Sequence, residues 1–125
     1  MTQEQKQILL VDFCARLPYG VKIRIEYPFL KEEEWHSEIL DGLDLQGLCI
    51  ANTSIRLEEV KPYLFPLSSM TEEQEDELIK FMVKDWYDMR YHTPDSIDWL
   101  NANHFDFRNL ISRNLAIDYT NLDIY

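Results

Sequence analysis

Glycine and cysteine are scarce in this chain, and their scarcity excludes several classes of site. The three glycines, Gly20, Gly42 and Gly47, fit neither a G-x-G-x-x-G fingerprint nor a P-loop. The two cysteines, Cys14 and Cys49, form no C-x-x-C pair, so the sequence contains neither a zinc motif nor a redox motif of that kind. We therefore predict that the protein uses no cofactor, and that both cysteines are buried thiols in a reducing cytoplasm.

Long hydrophobic runs are also lacking. The longest apolar runs are only a few residues, far short of the roughly 20 that span a bilayer, and the opening MTQEQKQILL does not resemble an export signal. Apolar residues make up 46% and charged residues 28% of the 125 residues, which is ordinary for a soluble globular protein. The sequence predicts a single cytoplasmic domain, residues 1–125, with one core and no membrane contact.

Bases are few compared with acids. The net charge is −11, and residues 67–125 contribute 12 acids against 5 bases, so the acidity is concentrated in the second half. Such a balance argues against binding nucleic acid by broad neutralisation of phosphates.

A helix is expected in residues 1–17. Leu10, Phe13, Cys14 and Leu17 recur at helical spacing and predict its buried face, and Pro18 ends it.

Residues 18–66 predict a small antiparallel sheet. Apolar and charged residues alternate over 21–27, the pattern of a strand with one solvent-facing side. Shorter strands are expected at 35–40, 45–51 and 54–57, separated by turn residues. Short strands at this spacing suggest a partial barrel of the SH3 type.

Residues 67–125 predict three helices packed on that sheet. Thr71 and Gln74 fit a capping box, and the first of these helices should run to about Arg90. Two shorter helices follow, one over 93–103 and one from Asp106 to Asn114, whose residue type tolerates the left-handed closing turn. The predicted class is therefore α+β.

The stretch WLNANHFDF, residues 99–107, places His104 among aromatic rings. The rings most simply fill a helix junction. Catalysis by the histidine would need a nucleophile as well as an orienting acid, and although Asp98 and Asp106 are near in sequence, no nucleophile is. We predict no catalytic residue and no enzymatic activity.

A metal site is not predicted either. It would have to gather His36, His92 and His104 from three different predicted elements, without an H-x-x-x-H pair.

Surplus aromatic residues offer one candidate interaction surface. Tyr19, Tyr63, Phe65, Tyr87 and Tyr91 could form an exposed patch that docks another protein. The alternative is that these rings pack the sheet against the helices.

Basic residues offer a second candidate surface. Lys22, Arg24, Arg56 and Lys61 are expected on the outer face of the sheet, where they could hold nucleic acid despite the overall charge. Four bases are a small footprint for that role, which argues against nucleic acid as a partner.

Three stretches carry a resemblance to a known family. They are ARLPYGVKI (15–23), EEVKPYLFPLSSMTEEQ (58–74) and SIDWLNANHFDFRNLISRNLAID (96–118). They resemble a widespread family of small uncharacterised proteins from gut Bacteroidetes and their phages or mobile elements. Asn103 and Asn114 depart from the residues common there, histidine and glycine respectively. The resemblance implies a phage or mobile-element setting but no activity.

Three functions follow as hypotheses. The first is a non-enzymatic accessory or adaptor protein of phage or mobile-element origin that acts through contacts with another protein. The second is nucleic-acid binding through the basic sheet face. The third is an acidic DNA mimic that inhibits a host enzyme, which requires carboxylates spaced like phosphates along one face.

Overall fold

The protein has an α+β fold in a computed structural model that describes residues 2–26, 30–40, 42–44, 47–50, 53–84, 90–91 and 93–120. Within these ranges the helices are α1 (Gln3–Arg16), α2 (Glu72–Ile79) and α3 (Pro94–Ala102). The strands are β1 (Lys22–Ile25), β2 (His36–Ile39), β3 (Gly42–Asp44), β4 (Gly47–Ile50), β5 (Thr53–Ile55), β6 (Val60–Pro66), β7 (Val83–Lys84), β8 (Arg90–Tyr91), β9 (Phe105–Asp106) and β10 (Ile117–Asp118).

The principal sheet is mixed and open. Its strand order is β10-β6-β1-β2, with β9 also paired to β6. Strand β1 runs antiparallel to β2 and β6, whereas β9 and β10 run parallel to β6. Strands β3, β4 and β5 form their own antiparallel sheet, and β7 pairs with β8. The predicted SH3-like partial barrel is not confirmed: among the described residues the sheet is not closed, because the ladder does not continue from β2 round to β10.

Strand β1 confirms the alternating pattern of the sequence. Ile23 and Ile25 are buried, while Lys22 and Arg24 on the opposite side are half-buried. Strands β2, β4 and β5 fall within or beside the three shorter stretches that were expected to be strands. The core against this sheet comprises Leu9, Phe13, Val21, Ile23, Ile25, Leu40, Val60, Leu64, Leu110, Leu115 and Ala116.

Strand β6 lies at the centre of the sheet although it contains two prolines. The Tyr119 N–H donates to the Leu64 carbonyl and the Phe65 N–H donates to the His104 carbonyl, on opposite edges. Backbone groups alternate between the two edges along a strand, so Pro62, two residues before Leu64, faces the same edge as Leu64. On that edge the pairing with β10 begins only at Tyr63. Proline therefore costs this strand no ladder hydrogen bond with a described residue at that position.

Helix α1 buries a different face from the predicted one. Leu9 and Phe13 are fully buried, whereas Leu10 and Cys14 are exposed. The prediction of a buried Cys14 is therefore wrong. The buried face of α1 is rotated from the predicted one because it includes Asp12 and Arg16. An apolar pattern assigns these two charged residues to solvent, but they are buried as a pair.

The C-terminal region contains fewer and shorter helices than predicted. Helix α2 begins with the predicted capping box but ends at Ile79, not near Arg90. In place of the helix expected after Asp106, the chain makes turns in which Asn109 and Asn114 have left-handed φ values of 59° and 60°. A left-handed residue inside the segment breaks the α-helical ladder. Among the residues that the structure describes, α2 and α3 are therefore present and the third expected helix is absent.

The rings around residue 104 pack together, but the helix junction that they were expected to fill is absent, because no helix follows Asp106 in the described residues. Trp99, Leu100 and Phe105 form a second buried cluster with Leu78, and the rings of Trp99 and Phe105 stack with centroids 5.6 Å apart. His104 follows the end of α3 with a left-handed φ of 63°, and its N–H donates to the Asn101 carbonyl. This is a common way for a helix to close.

Candidate functional site

The predicted aromatic surface is divided between core and solvent. Tyr19 is exposed at the turn after α1, but Tyr63 is buried and its hydroxyl lies 2.8 Å from the Ser37 hydroxyl. Phe65 is half-buried against Phe105, with centroids 5.7 Å apart. The side chains of Tyr87 and Tyr91 lie outside the described residues.

Three of the four predicted bases do share one face of the sheet. Arg24 pairs with Lys61 across β1 and β6, and Lys22 lies two residues away on the same face. Glu26 lies beside them and binds both neighbours: the Arg24 Nε donates to its carboxylate at 2.7 Å, and the Lys61 ammonium is 3.8 Å away. Lys61 also donates to the Asn114 side chain at 3.2 Å. One carboxylate thus offsets part of the positive charge of this face.

Arg56 is exposed on the segment that precedes β6. Its charge acts on Glu58, whose pKa is lowered mainly by a hydrogen bond from Lys6 and further by the Coulombic attraction of Lys6 and Arg56. The Lys6–Glu58 pair, 2.7 Å apart, connects α1 with this segment.

His104 is a neutral imidazole at pH 7. Burial, followed by the positive charges of Arg16 and Lys22, lowers its pKa from 6.5 to about 4. The side chain of His36 and the whole of His92 lie outside the described residues. In the ranges that the structure describes, no three His, Cys, Asp or Glu side chains are grouped so that they could hold a metal ion.

The His104 pKa predicts a pH dependence of stability. In the unfolded chain the imidazole takes up a proton below pH 6.5, but in the folded chain only near pH 4. The unfolded state binds more protons in that window, so the free energy of unfolding should fall as the pH falls from 6.5 towards 4. His104→Asn keeps a residue type that tolerates left-handed φ and should reduce this slope, as measured by urea unfolding across the window. Parallel wild-type and variant profiles would contradict the assignment.

A buried ion cluster was missed by sequence reasoning. Asp12 and Arg16 are one helical turn apart on α1, both fully buried, with the Arg16 Nε 3.0 Å from each carboxylate oxygen. The Arg16 guanidinium also donates to the Phe105 carbonyl at 2.5 Å. A second cation, Arg108, donates to Asp12 at 2.6 Å, and its guanidinium lies 4.2 Å from the Phe107 ring centre. The only signal in the sequence was the i, i+4 spacing of opposite charges.

This cluster carries more positive than negative charge. Two guanidinium groups meet one carboxylate, and Asp12 and Arg16 have no exposed area. Arg108 is the member of the three that reaches solvent, with 18% of its side chain exposed. The surplus positive charge of the cluster is therefore presented to solvent by Arg108.

Arg108 borders a groove along the outer side of α1. The groove has a volume of about 470 Å³, and its other walls are Glu4, Gln7, Ile8 and Val11. These four residues are spaced i, i+3, i+4, i+7 and so form one stripe of the helix. Val11 is 53% exposed, which leaves an apolar surface open between the two charged residues.

A second apolar groove lies between α2 and the segment that follows β6. Its volume is about 440 Å³, and it is lined by Leu67, Ser68, Met70, Glu75, Leu78, Ile79 and Met82. We call it the α2 groove. Leu67 is 44% and Ile79 37% exposed, while Met70 and Met82 rest on the second core cluster.

Glu75 lines the α2 groove, and other carboxylates lie near it on the same helix. Helix α2 carries Glu72, Glu73, Glu75, Asp76 and Glu77, all exposed. None of them forms an ion pair with another described residue. Glu72, Glu75 and Asp76 share a side of the helix with Ile79 by their i, i+3, i+4, i+7 spacing.

The comparisons with known proteins identify no relative: no family model, no curated protein and no solved structure matches the chain. Among the described residues, no helix combines the length and the apolar character needed to cross a membrane.

Proposed function

We propose that this protein is a non-enzymatic accessory or adaptor protein that binds a basic, amphipathic segment of a partner protein in the α2 groove. The observation that supports this proposal is the adjacency of an open apolar groove and carboxylates with no described ion-pair partner on the same helix.

The apolar lining supplies the attraction for the partner's apolar side chains. Leu67 and Ile79 expose large aliphatic surfaces, and Phe81, two residues after Ile79, is also exposed. Burying such surface yields roughly 25 cal/mol per Å². The two methionines add side chains that adapt to the shape of a bound helix. Helix-in-groove recognition uses this combination.

The carboxylates select the charge of the partner. A segment with Lys or Arg flanking its apolar stripe would pair with Glu72, Glu75 and Asp76, whereas an acidic segment would be repelled. The overall charge of −11 steers a basic partner towards the protein before contact.

The resemblance of the three quoted stretches is what suggests a phage or mobile-element origin.

Two alternative functions stay as predictions. Nucleic-acid binding by Lys22, Arg24, Arg56 and Lys61 has less support, because Glu26 binds two of these four bases. An acidic DNA mimic would also use the carboxylates of α2, but it would not need an apolar groove.

A synthetic peptide tests the proposal. The probe is a short amphipathic peptide with leucines at helical spacing and lysines elsewhere, titrated against the full chain by calorimetry. We expect the double variant Leu67→Ser/Ile79→Ser to bind it at least about tenfold more weakly, because about 2 kcal/mol of apolar contact is lost. Both side chains are exposed, so folding should be retained.

Two matched controls separate the groove from general charge. Leu10→Ser/Ile39→Ser removes equally exposed apolar side chains elsewhere and should leave the affinity unchanged. Glu72→Gln/Glu75→Gln should weaken binding more than Glu33→Gln/Glu34→Gln, which changes the net charge equally at other exposed positions. If the groove variant and the Leu10→Ser/Ile39→Ser control bound the peptide with equal affinity, groove binding would be refuted. If the glutamine variants lost affinity for the peptide and the serine variants did not, the result would favour the acidic DNA mimic.

A further inference from the structure

We infer that the groove on α1 is the contact surface of a symmetric dimer, in which α1 of a second copy of this chain lies antiparallel in the groove. This inference concerns a different surface from the α2 groove and goes beyond the proposed function.

Two opposite charges lie at the two ends of one apolar stripe. Glu4 and Val11 are separated by about 10 Å along the helix axis at 1.5 Å per residue. Arg108 lies at the Val11 end, because its guanidinium is bonded to Asp12. The groove therefore has an acid at one end, a base at the other, and Ile8 and Val11 between them.

Neither charge is fully neutralised by the described residues of a single copy. Glu4 forms no ion pair with another described residue. Arg108 shares Asp12 with the buried Arg16, so the three groups together keep one positive charge.

A two-fold axis brings these charges together twice. When two α1 helices cross antiparallel with the axis between residues 7 and 8, position 4 of one copy faces position 11 of the other. Glu4 of each copy then meets Arg108 of the other, and Ile8 and Val11 pack between the two ends. A self-complementary patch of this kind is what a two-fold dimer requires. The groove thus provides both the apolar surface and the charges that set the antiparallel orientation.

Sedimentation equilibrium of the purified full chain over a wide concentration range tests the inference. We expect a concentration-dependent rise of the mass from the monomer value of 15.0 kDa towards twice that value. Val11→Glu and Glu4→Lys should each raise the dissociation constant at least tenfold. Leu10→Glu, about 100° round the helix from Val11 and also exposed, should leave it within about twofold. Substitutions in the α2 groove should not change it, so this result and that of the peptide titration are independent.

A mixing experiment tests the charge pairing itself. Glu4→Lys and Arg108→Glu chains should each be monomeric alone, because like charges meet at both ends. Mixed together they should form a heterodimer, since the changed position 4 of one chain faces the changed position 108 of the other. If the Arg108→Glu chain fails to fold because the new carboxylate lies beside Asp12, the sedimentation results for Val11→Glu, Glu4→Lys and Leu10→Glu test the dimer without it. A wild-type chain that stays monomeric, or equal weakening by Leu10→Glu and Val11→Glu, would overturn the dimer.

Discussion

Replacing Asp12 with alanine is expected to lower the free energy of unfolding by about 3–5 kcal/mol. The substitution removes the carboxylate that holds the fully buried Arg16 guanidinium at 3.0 Å, and leaves that cation beside Phe105 and Phe107 with a carbonyl as its remaining described hydrogen-bond partner. An unpaired charge in a core costs far more than the pair contributes. A loss of this size is a large fraction of the roughly 5–15 kcal/mol that stabilises a domain.

A second variant shows whether the cost comes from the orphaned charge. Asp12→Leu/Arg16→Met removes both charges and keeps apolar volume, so it should be much more stable than Asp12→Ala alone. Arg108, the remaining cation, already reaches solvent and can turn towards it. Asp76→Ala on the exposed face of α2 is the matched control and should change stability by less than about 0.5 kcal/mol. The measurement is urea unfolding followed by circular dichroism. A double variant as unstable as the single one would contradict this account.

The second large effect is expected at Asp106, which holds the turn that replaces the predicted last helix. Its carboxylate is buried and accepts the N–H groups of Leu110 and Ile111, both at 2.9 Å. Hydrogen bonds to a charged group contribute about 1.5–3 kcal/mol each. We expect Asp106→Ala to cost about 3 kcal/mol, and Asp106→Asn roughly half of that because the amide keeps one acceptor oxygen.

The matched control is Asp118→Ala. Asp118 is exposed and accepts the N–H of Thr120 in a local turn at 3.0 Å. Its loss should cost less than about 1 kcal/mol. Denaturant unfolding of the three variants gives the comparison. If Asp106→Ala and Asp118→Ala were equally mild, the Asp106 carboxylate would not be what holds residues 107–116 in place.

Local signals in the sequence predicted a good part of the fold. The alternation around β1 identified a strand with one buried side, and the capping box at Thr71 located the start of α2. Strand β6 was missed because Pro62 and Pro66 argue against a central strand. The reason Pro62 is tolerated depends on where β10 begins to pair, and no local pattern contains that information. Asn114 was predicted to be left-handed and is, but Asn109 adopts the same conformation and ends any regular helix.

The candidate surfaces were harder to predict than the strands. The helical period of Leu10, Phe13, Cys14 and Leu17 was real, but the buried face of α1 includes two charged residues. Charges are normally assigned to solvent, and Asp12 and Arg16 are buried because they neutralise each other. With this face buried, Val11 lies on the solvent side of α1 and is open in its groove. The α2 groove depends on α2 ending at Ile79, which the continuous apolar period to Arg90 did not indicate.

The arrangement around β6 bears on how the chain folds as it is synthesised. Two of its neighbours, β9 and β10, come from residues 105–106 and 117–118, about forty or more positions downstream in the chain. A ribosome-bound chain that has not yet produced these residues must hold β6 with some of its backbone groups unpaired. We therefore expect the protein to reach its native state only after the last of these strands has left the exit tunnel.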